Sequence, residues 1–134
     1  MAHETLVTQT FTQQMIDEGA ALLRTLDSQG FKTTAALWFY LEPSDTWRLI
    51  LASPEVQSEG PKHFYERVQK VLGDGSGKIR ITLRDISVVP SDDPLIKLLR
   101  MAIGTGPNDI SGIRFSRNTI NGQFIQDAYI YRLT

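Results

Sequence analysis

The side chains that most often perform catalysis are scarce in this sequence, and their spacing matches no common catalytic or metal-binding motif. The chain has no cysteine, which excludes a thiolate nucleophile, a disulfide and cysteine-bound zinc or iron–sulfur centres. His3 and His63 are the two histidines and are too far apart to form a helical ligand pair. The adjacent Asp92 and Asp93 precede an apolar helical stretch, where acidic side chains favour the helix N-terminus. The sequence therefore predicts no catalytic residue, no metal site and no cofactor.

A glycine-rich stretch at 73–78 superficially resembles a phosphate-binding loop. Three residues separate Gly73 from Gly77 where the motif requires four, and Ile79 follows Lys78 where the motif requires Ser or Thr. The stretch also leads from a predicted helix into a predicted strand, which reverses the order that phosphate binding needs. We therefore interpret it as a turn between a helix and a strand.

The first of two groups that could bind a ligand or a partner combines two aromatic rings with an arginine. Trp38 and Tyr40 alternate along an apolar segment, and a hairpin that pairs Leu41 with Trp47 would place Arg48 opposite Tyr40. A guanidinium beside aromatic rings forms cation–π contacts and suits a planar or anionic ligand. Because Trp and Tyr bury large areas in any small core, packing beneath a helix is the alternative that we favour.

The second group follows from a β-hairpin near the C-terminus. Asn121 and Gly122 tolerate the two positive φ angles of a type I′ turn and are flanked by two runs of strand-forming residues. Counting outward from that turn places Arg114 opposite Tyr129, Ser116 opposite Asp127 and Phe115 opposite Ala128. One face is predicted to collect Arg114, Ser116, Asp127, Tyr129 and Tyr131. Tyr and Arg are enriched at protein interfaces, whereas an ordinary solvated strand face is the alternative.

Hydrophobic periodicity and turn residues predict the elements that carry these groups. Apolar residues at helical spacing follow a capping pattern at Thr10 and end at Gly30, and two further helices begin at Pro61 and Pro94. The predicted strands span 33–41, 47–53, 78–89, 110–120 and 123–133. The order α-β-β-α-β-α-β-β indicates an α+β fold with a mixed five-stranded sheet and three helices.

Length and composition agree with one globular domain over residues 1–134. The chain has 41% hydrophobic and 22% charged residues and a formal net charge of -1. These values are typical of a soluble protein, and the charge gives no overall attraction to nucleic acid or an anionic membrane. The N-terminal residues lack a signal-peptide pattern and no apolar stretch is long enough to span a bilayer, so we expect a cytoplasmic protein.

These observations favour a small non-catalytic binding or protein-interaction module. We expect it to associate with itself, as a homodimer, or with another protein, through the final hairpin or the aromatic face. The alternative is a hydrolase or transferase acting on a phosphorylated or nucleotide-like substrate, with Arg48, His63 and Glu66 around a cleft beside Trp38.

A third interpretation is a nucleic-acid accessory protein. Lys78, Arg80 and Arg84 alternate with apolar residues along a predicted strand, and Arg114 and Arg117 would extend this basic stripe if the two strands were neighbours. The sequence contains no nucleic-acid recognition motif, and Asp74 and Asp85 dilute the positive charge. Nucleic acid is therefore the least favoured of the partners considered.

Overall fold

The computed structural model describes residues 10–73 and 79–134, which form a single α+β domain around a mixed five-stranded sheet. The predicted order of strands and helices is confirmed, with one short helix added between the second strand and the second predicted helix. The elements are α1 (Gln13–Ser28), β1 (Ala35–Leu41), β2 (Thr46–Ser53), α2 (Pro54–Glu59), α3 (Pro61–Gly73), a 3-10 helix (Leu83–Asp85), β3 (Ile86–Pro90), α4 (Pro94–Arg100), β4 (Ile113–Ile120) and β5 (Gln123–Leu133).

Helix starts follow the capping chemistry of their first residues. The Thr12 side chain accepts a hydrogen bond from the Met15 amide, so α1 is capped two residues later than predicted. Ser53 caps the additional helix α2, in which Pro54 occupies the first position. Asp93, one of the two adjacent acidic residues before this helix, caps α4 by accepting from the Leu95 amide.

The strands are ordered β3-β2-β1-β5-β4, with β2 and β3 parallel and the other neighbours antiparallel. We call the face covered by α1 and α3 the upper face and the face covered by α4 the lower face. Each face has its own apolar core, the upper one with Leu22, Phe64 and Leu49 and the lower one with Leu37, Leu99 and Ile130. Because β1 lies between both cores, its first four residues are buried, as the apolar run predicts.

The final hairpin has the predicted turn and the predicted register. Asn121 has φ 49° and Gly122 has φ 80°, the two positive values of a type I′ turn. Arg114 lies opposite Tyr129, Ser116 opposite Asp127 and Phe115 opposite Ala128.

The first hairpin differs from its predicted register by one residue. Leu41 pairs with Thr46 and Tyr40 with Trp47, so Arg48 lies opposite Phe39 and not opposite Tyr40. The reason is the turn, which has four residues because Asp45 adopts φ 58° and its amide donates to the Glu42 carbonyl. A shift of one residue moves a side chain to the other face of a sheet, and the prediction for Arg48 was wrong for this reason.

The predicted strand 78–89 is also shorter in the structure, where β3 begins only at Ile86. The backbone before it bonds to side chains instead of a neighbouring strand. Glu18 accepts from the Arg80 amide at 2.7 Å, and Asp85 accepts from the amide and the hydroxyl of Thr82 at 3.0 and 3.2 Å. Local bonds such as those between Thr82 and Asp85 compete with strand pairing. Lys78 and the rest of the glycine-rich stretch after Gly73 lie outside the described residues.

A β-bulge interrupts the pairing of β1 with β5. Trp38 pairs with Tyr129, but Ala36 pairs with Arg132, which leaves Tyr131 as the extra residue between them. The bulge turns both Tyr131 and Arg132 towards α1, and each is only 1% exposed. The Arg132 guanidinium donates two hydrogen bonds to the Asp27 carboxylate on α1, at 3.0 and 2.8 Å.

Candidate functional site

The aromatic side chains of both predicted groups meet at one end of the upper face. The antiparallel pairing of β1 with β5 brings Trp38 next to Tyr129. Phe11, just before α1, stacks on Trp47 with ring centroids 4.3 Å apart and also contacts Tyr129 at 5.7 Å. We call these residues the aromatic cluster: Phe11, Trp38, Tyr40, Trp47, Tyr129 and Tyr131.

The arginine above this cluster is Arg114 and not Arg48. Its guanidinium carbon lies 5.4 Å from the centre of the Phe11 ring and 5.7 Å from that of Trp47, within the range of a cation–π interaction. Sequence reasoning missed Phe11 and Trp47 as neighbours of Arg114. A helix that starts at the predicted cap Thr10 would include Phe11, whereas the cap at Thr12 makes the helix begin at Gln13, after Phe11.

Arg114 is fixed by a hydrogen-bonded group on the exposed part of the hairpin. Its Nε and Nη2 atoms donate to the two carboxylate oxygens of Asp127 at 2.7 and 2.6 Å, and the Ser116 hydroxyl donates to the same carboxylate at 2.6 Å. This bidentate arrangement fixes the orientation of the guanidinium, although the Arg114 side chain is 49% exposed. The hydrogen bond to Asp127 is the main cause that raises the pKa of Arg114.

Partial burial opposes ionisation of Asp127, but the hydrogen bonds from Arg114 and Ser116 and the charge of Arg114 outweigh it and hold the pKa of Asp127 below its usual range. A lowered folded-state pKa means that the ion pair stabilises the fold above the unfolded value of about 3.9. That contribution is lost as the pH falls through the folded-state pKa. The pair therefore contributes fully at neutral pH.

We expect Asp127→Asn to lower the free energy of unfolding at pH 7 by about 0.5 to 1 kcal/mol, the size typical of a partly exposed ion pair. Below pH 3 the difference from the unmodified chain should shrink towards zero, because the carboxylate is then losing its charge in both states. Urea denaturation at both pH values measures the effect. Glu66→Gln, at an exposed position on α3, is the control. An equal loss at both pH values would contradict the assignment.

Three of the predicted aromatic site residues have mainly structural contacts. Trp38 and Tyr131 are buried, and the Trp38 indole donates to the Tyr131 hydroxyl at 3.0 Å. That hydroxyl donates in turn to the Ile16 carbonyl on α1 at 2.7 Å, and burial raises the pKa of Tyr131. Tyr40 bonds to Asp45 in the turn, and this bond is the main cause that raises the pKa of Tyr40. Of the two tyrosines predicted on this face of the hairpin, Tyr131 is buried and Tyr129 stays partly exposed.

Arg48 lies on the lower face, where it fastens β3 to β2. Its guanidinium donates to the Ser87 hydroxyl at 2.6 Å and to the carbonyls of Arg84 and Ile86 at 2.9 and 2.8 Å. His63 lies on α3, on the upper face, 3.2 Å from Glu59. The structure therefore does not bring Arg48 and His63 into one cleft, and Trp38 is buried away from both.

The predicted basic stripe is not continuous. Arg80 and Arg84 precede β3, whereas Arg114 and Arg117 belong to β4, and these two strands form opposite edges of the sheet. The prediction that these arginines could extend one another was wrong, because the strand order separates them by three strands. Arg80 and Arg84 are nevertheless both exposed.

Two concave regions flank the segment 79–85. One, of about 190 Å³, lies over Met15 and Trp38 and is bordered by Glu18, Arg80 and Asp85. The other is an open groove of about 460 Å³ between the end of α3 and residues 79–84. In the first, both carboxylates already accept backbone hydrogen bonds, from Arg80 and Thr82. Among the described residues that line the two regions, no carboxylate is therefore left uncommitted for a substrate.

The two edge strands of the sheet differ in how their backbone is protected. At β3 the Tyr65 hydroxyl donates to the Ile86 carbonyl and accepts from the Val88 amide, both at 3.2 Å, and Arg48 donates to the same carbonyl. At β4 the side chain of Asn118 accepts from the Thr119 amide at 2.9 Å. Among the described residues, no side chain bonds to the backbone of residues 113–116. In the part of the chain that the structure describes, these residues have a neighbouring strand on one side alone, and we call them the open edge of β4.

Comparison of the chain with protein-family models, curated proteins and solved structures finds no match. Within residues 10–73 and 79–134, no three His, Asp or Glu side chains are close enough to hold a metal ion. No helix in the same ranges has the length and apolar character to cross a lipid bilayer. A functional argument for this chain therefore depends on the aromatic cluster, the Arg114 group and the open edge of β4.

Proposed function

We propose that this chain is a non-catalytic interaction module that self-associates through its final hairpin. The observation that carries the proposal is the position of the Arg114–Asp127–Ser116 group directly beside the open edge of β4. The exposed Arg114 and the partly exposed Tyr129, next to unpaired backbone groups, provide both the side-chain contacts and the hydrogen-bonding groups of a protein interface.

The rigidity of the hairpin supports this function. Arg114 is held by the Asp127 carboxylate and by the rings of Phe11 and Trp47, so little conformational freedom remains to be lost when a partner binds. Tyr129 is fixed as well, because its hydroxyl lies against Gly112, where an added Cβ would come within 2.5 Å of it. Such preorganised Arg and Tyr side chains are typical of the residues that contribute most to binding.

The enzymatic alternative has less support from the geometry. It requires Arg48, His63 and Glu66 around one cleft, but Arg48 bonds to β3 on the lower face and His63 lies on the upper face. The nucleic-acid alternative requires a continuous basic surface, and the strand order separates its two halves. The interaction function is the one whose residues lie together.

The test is the mass of the protein in solution as a function of concentration. We expect sedimentation equilibrium to show twice the chain mass of 15.1 kDa at high micromolar concentration. Arg114→Glu should weaken the association about tenfold or more, or about 1.4 kcal/mol, because it places a second negative charge beside Asp127 at the interface.

Arg24→Glu is the matched control, because it makes the same charge change at an exposed position on α1. It should leave the association unchanged. A chain that stays monomeric at high micromolar concentration would refute the proposed function. An equal effect of both charge reversals would show that overall charge, and not the hairpin, controls the association.

A further inference from the structure

The open edge of β4 also indicates what partner it accepts, an inference that rests on the proposed function. We propose that the partner is a second copy of this chain, whose β4 pairs antiparallel with β4 around a two-fold axis that passes beside Phe115. The result is a continuous ten-stranded sheet with the upper faces of both copies on the same side.

The direction of the backbone groups along β4 supports this pairing. In an antiparallel strand these groups point alternately towards the neighbouring strand and away from it. The Thr119 amide donates to the Asn118 side chain and is therefore not bonded to β5. It points away from that strand. The register with β5 is the same on both sides of Arg117, so Phe115 and Ile113, an even number of residues away, share this outward direction.

The free part of the edge is short. Arg117 adopts φ 44°, a left-handed conformation that is rare for a residue inside a strand. The next amide that points outward, that of Thr119, is already bonded to the Asn118 side chain. These two features end the regular edge after Ser116. A long partner strand would have to run past this irregularity, whereas a symmetric pairing centred on Phe115 needs only a few residues from each copy.

Side-chain chemistry selects the position of the axis. An axis perpendicular to the sheet places residues of the same face opposite each other. With the axis beside Phe115, the two Phe115 rings pair on the lower face and Arg114 faces the partner's Ser116 on the upper face. An axis beside Arg114 would place two guanidinium groups directly opposite each other, which destabilises a strand pair.

The charges on the upper face also agree with this register. Ser116 already donates to Asp127, so each Arg114 would lie near the carboxylate of the other copy as well as its own. Positive and negative groups then alternate across the junction. The formal net charge of -1 adds little repulsion between two copies.

The experiment uses the absence of cysteine, because a single introduced cysteine is then the sole thiol of the chain. Two cysteines form a disulfide when their Cα atoms lie about 4.4 to 6.8 Å apart. At the proposed axis Phe115→Cys satisfies this condition. Ile113→Cys introduces a cysteine on the same strand and face. The rise per residue and the spacing of strands place the Cα atoms of its two copies roughly 14 Å apart.

Under mild oxidation we expect Phe115→Cys to form a covalent dimer about tenfold faster than Ile113→Cys, measured on non-reducing gels. A second pair keeps Phe115 intact: a mixture of Arg114→Cys and Ser116→Cys should give a mixed disulfide faster than either variant alone. If the unmodified chain is a dimer but neither preference appears, the register is refuted and self-association stands. If the unmodified chain is a monomer, both proposals fail.

Discussion

Replacing Asp27 with alanine is expected to lower the free energy of unfolding by about 3 kcal/mol, because it leaves a buried guanidinium without its charged partner. The Arg132 side chain is 1% exposed, and its remaining hydrogen bonds go to the carbonyls of Thr33 and Asp109. The Asp27 side chain is 33% exposed, so the expected loss is at the lower end of the range for a broken buried pair. Urea denaturation followed by circular dichroism measures it.

Asp17→Ala provides the control, since Asp17 is an exposed carboxylate on the same helix whose described side-chain bond is to Gln13. Its loss should stay within about 0.5 kcal/mol. Arg132→Met should be tolerated better than Asp27→Ala, because it removes the buried charge and leaves Asp27 partly in contact with water. A loss below about 1 kcal/mol for Asp27→Ala would show that Arg132 is solvated in the folded protein.

Gly19→Ala should destabilise the fold by about 2 kcal/mol, although alanine is the better helix former by about 1 kcal/mol. An added Cβ at Gly19 would lie 2.2 Å from the Tyr131 hydroxyl and 2.8 Å from the Trp38 indole nitrogen. Both atoms are buried and bonded to each other, so neither can move without losing its partner. Thermal or urea denaturation should reveal the loss.

A double-mutant cycle tests the cause of this effect. Tyr131→Phe removes the oxygen that the new methyl group would strike, so Gly19→Ala should cost less in that background than in the unmodified chain. Gly73→Ala, at the last residue of α3 with nothing within 4 Å of an added Cβ, should be neutral or slightly stabilising. Equal losses in both backgrounds would exclude the contact with Tyr131 as the cause.

The sequence predicts best those parts of the fold in which the local residue types favour a single backbone conformation. Asn121 and Gly122 fit a two-residue turn, and counting outward from it placed Arg114, Ser116 and Asp127 correctly. The turn of the first hairpin, in contrast, could contain either four or five residues. The choice depends on Asp45 adopting a positive φ, which no local pattern required.

The candidate site was predictable only in part, because much of it depends on contacts between distant elements. The pairing of β1 with β5 joins the two aromatic groups, and no sequence pattern fixed that strand order. The bulge at Tyr131 breaks the alternation from which its exposure had been predicted, and so buries it under α1. Gly19 drew no attention in the sequence, since its role appears only when α1 lies across Trp38 and Tyr131.

The protection of β3 by Tyr65 and Arg48 limits how far such molecules can assemble. A sheet with two unpaired edge strands can add copies without limit and grow into a fibril. A sheet with one unpaired edge strand stops growing once that strand is paired. In this chain the Ile86 carbonyl and the Val88 amide are already bonded by the chain's own side chains. Strand pairing at β4 would therefore give a closed pair that stays in solution at high concentration.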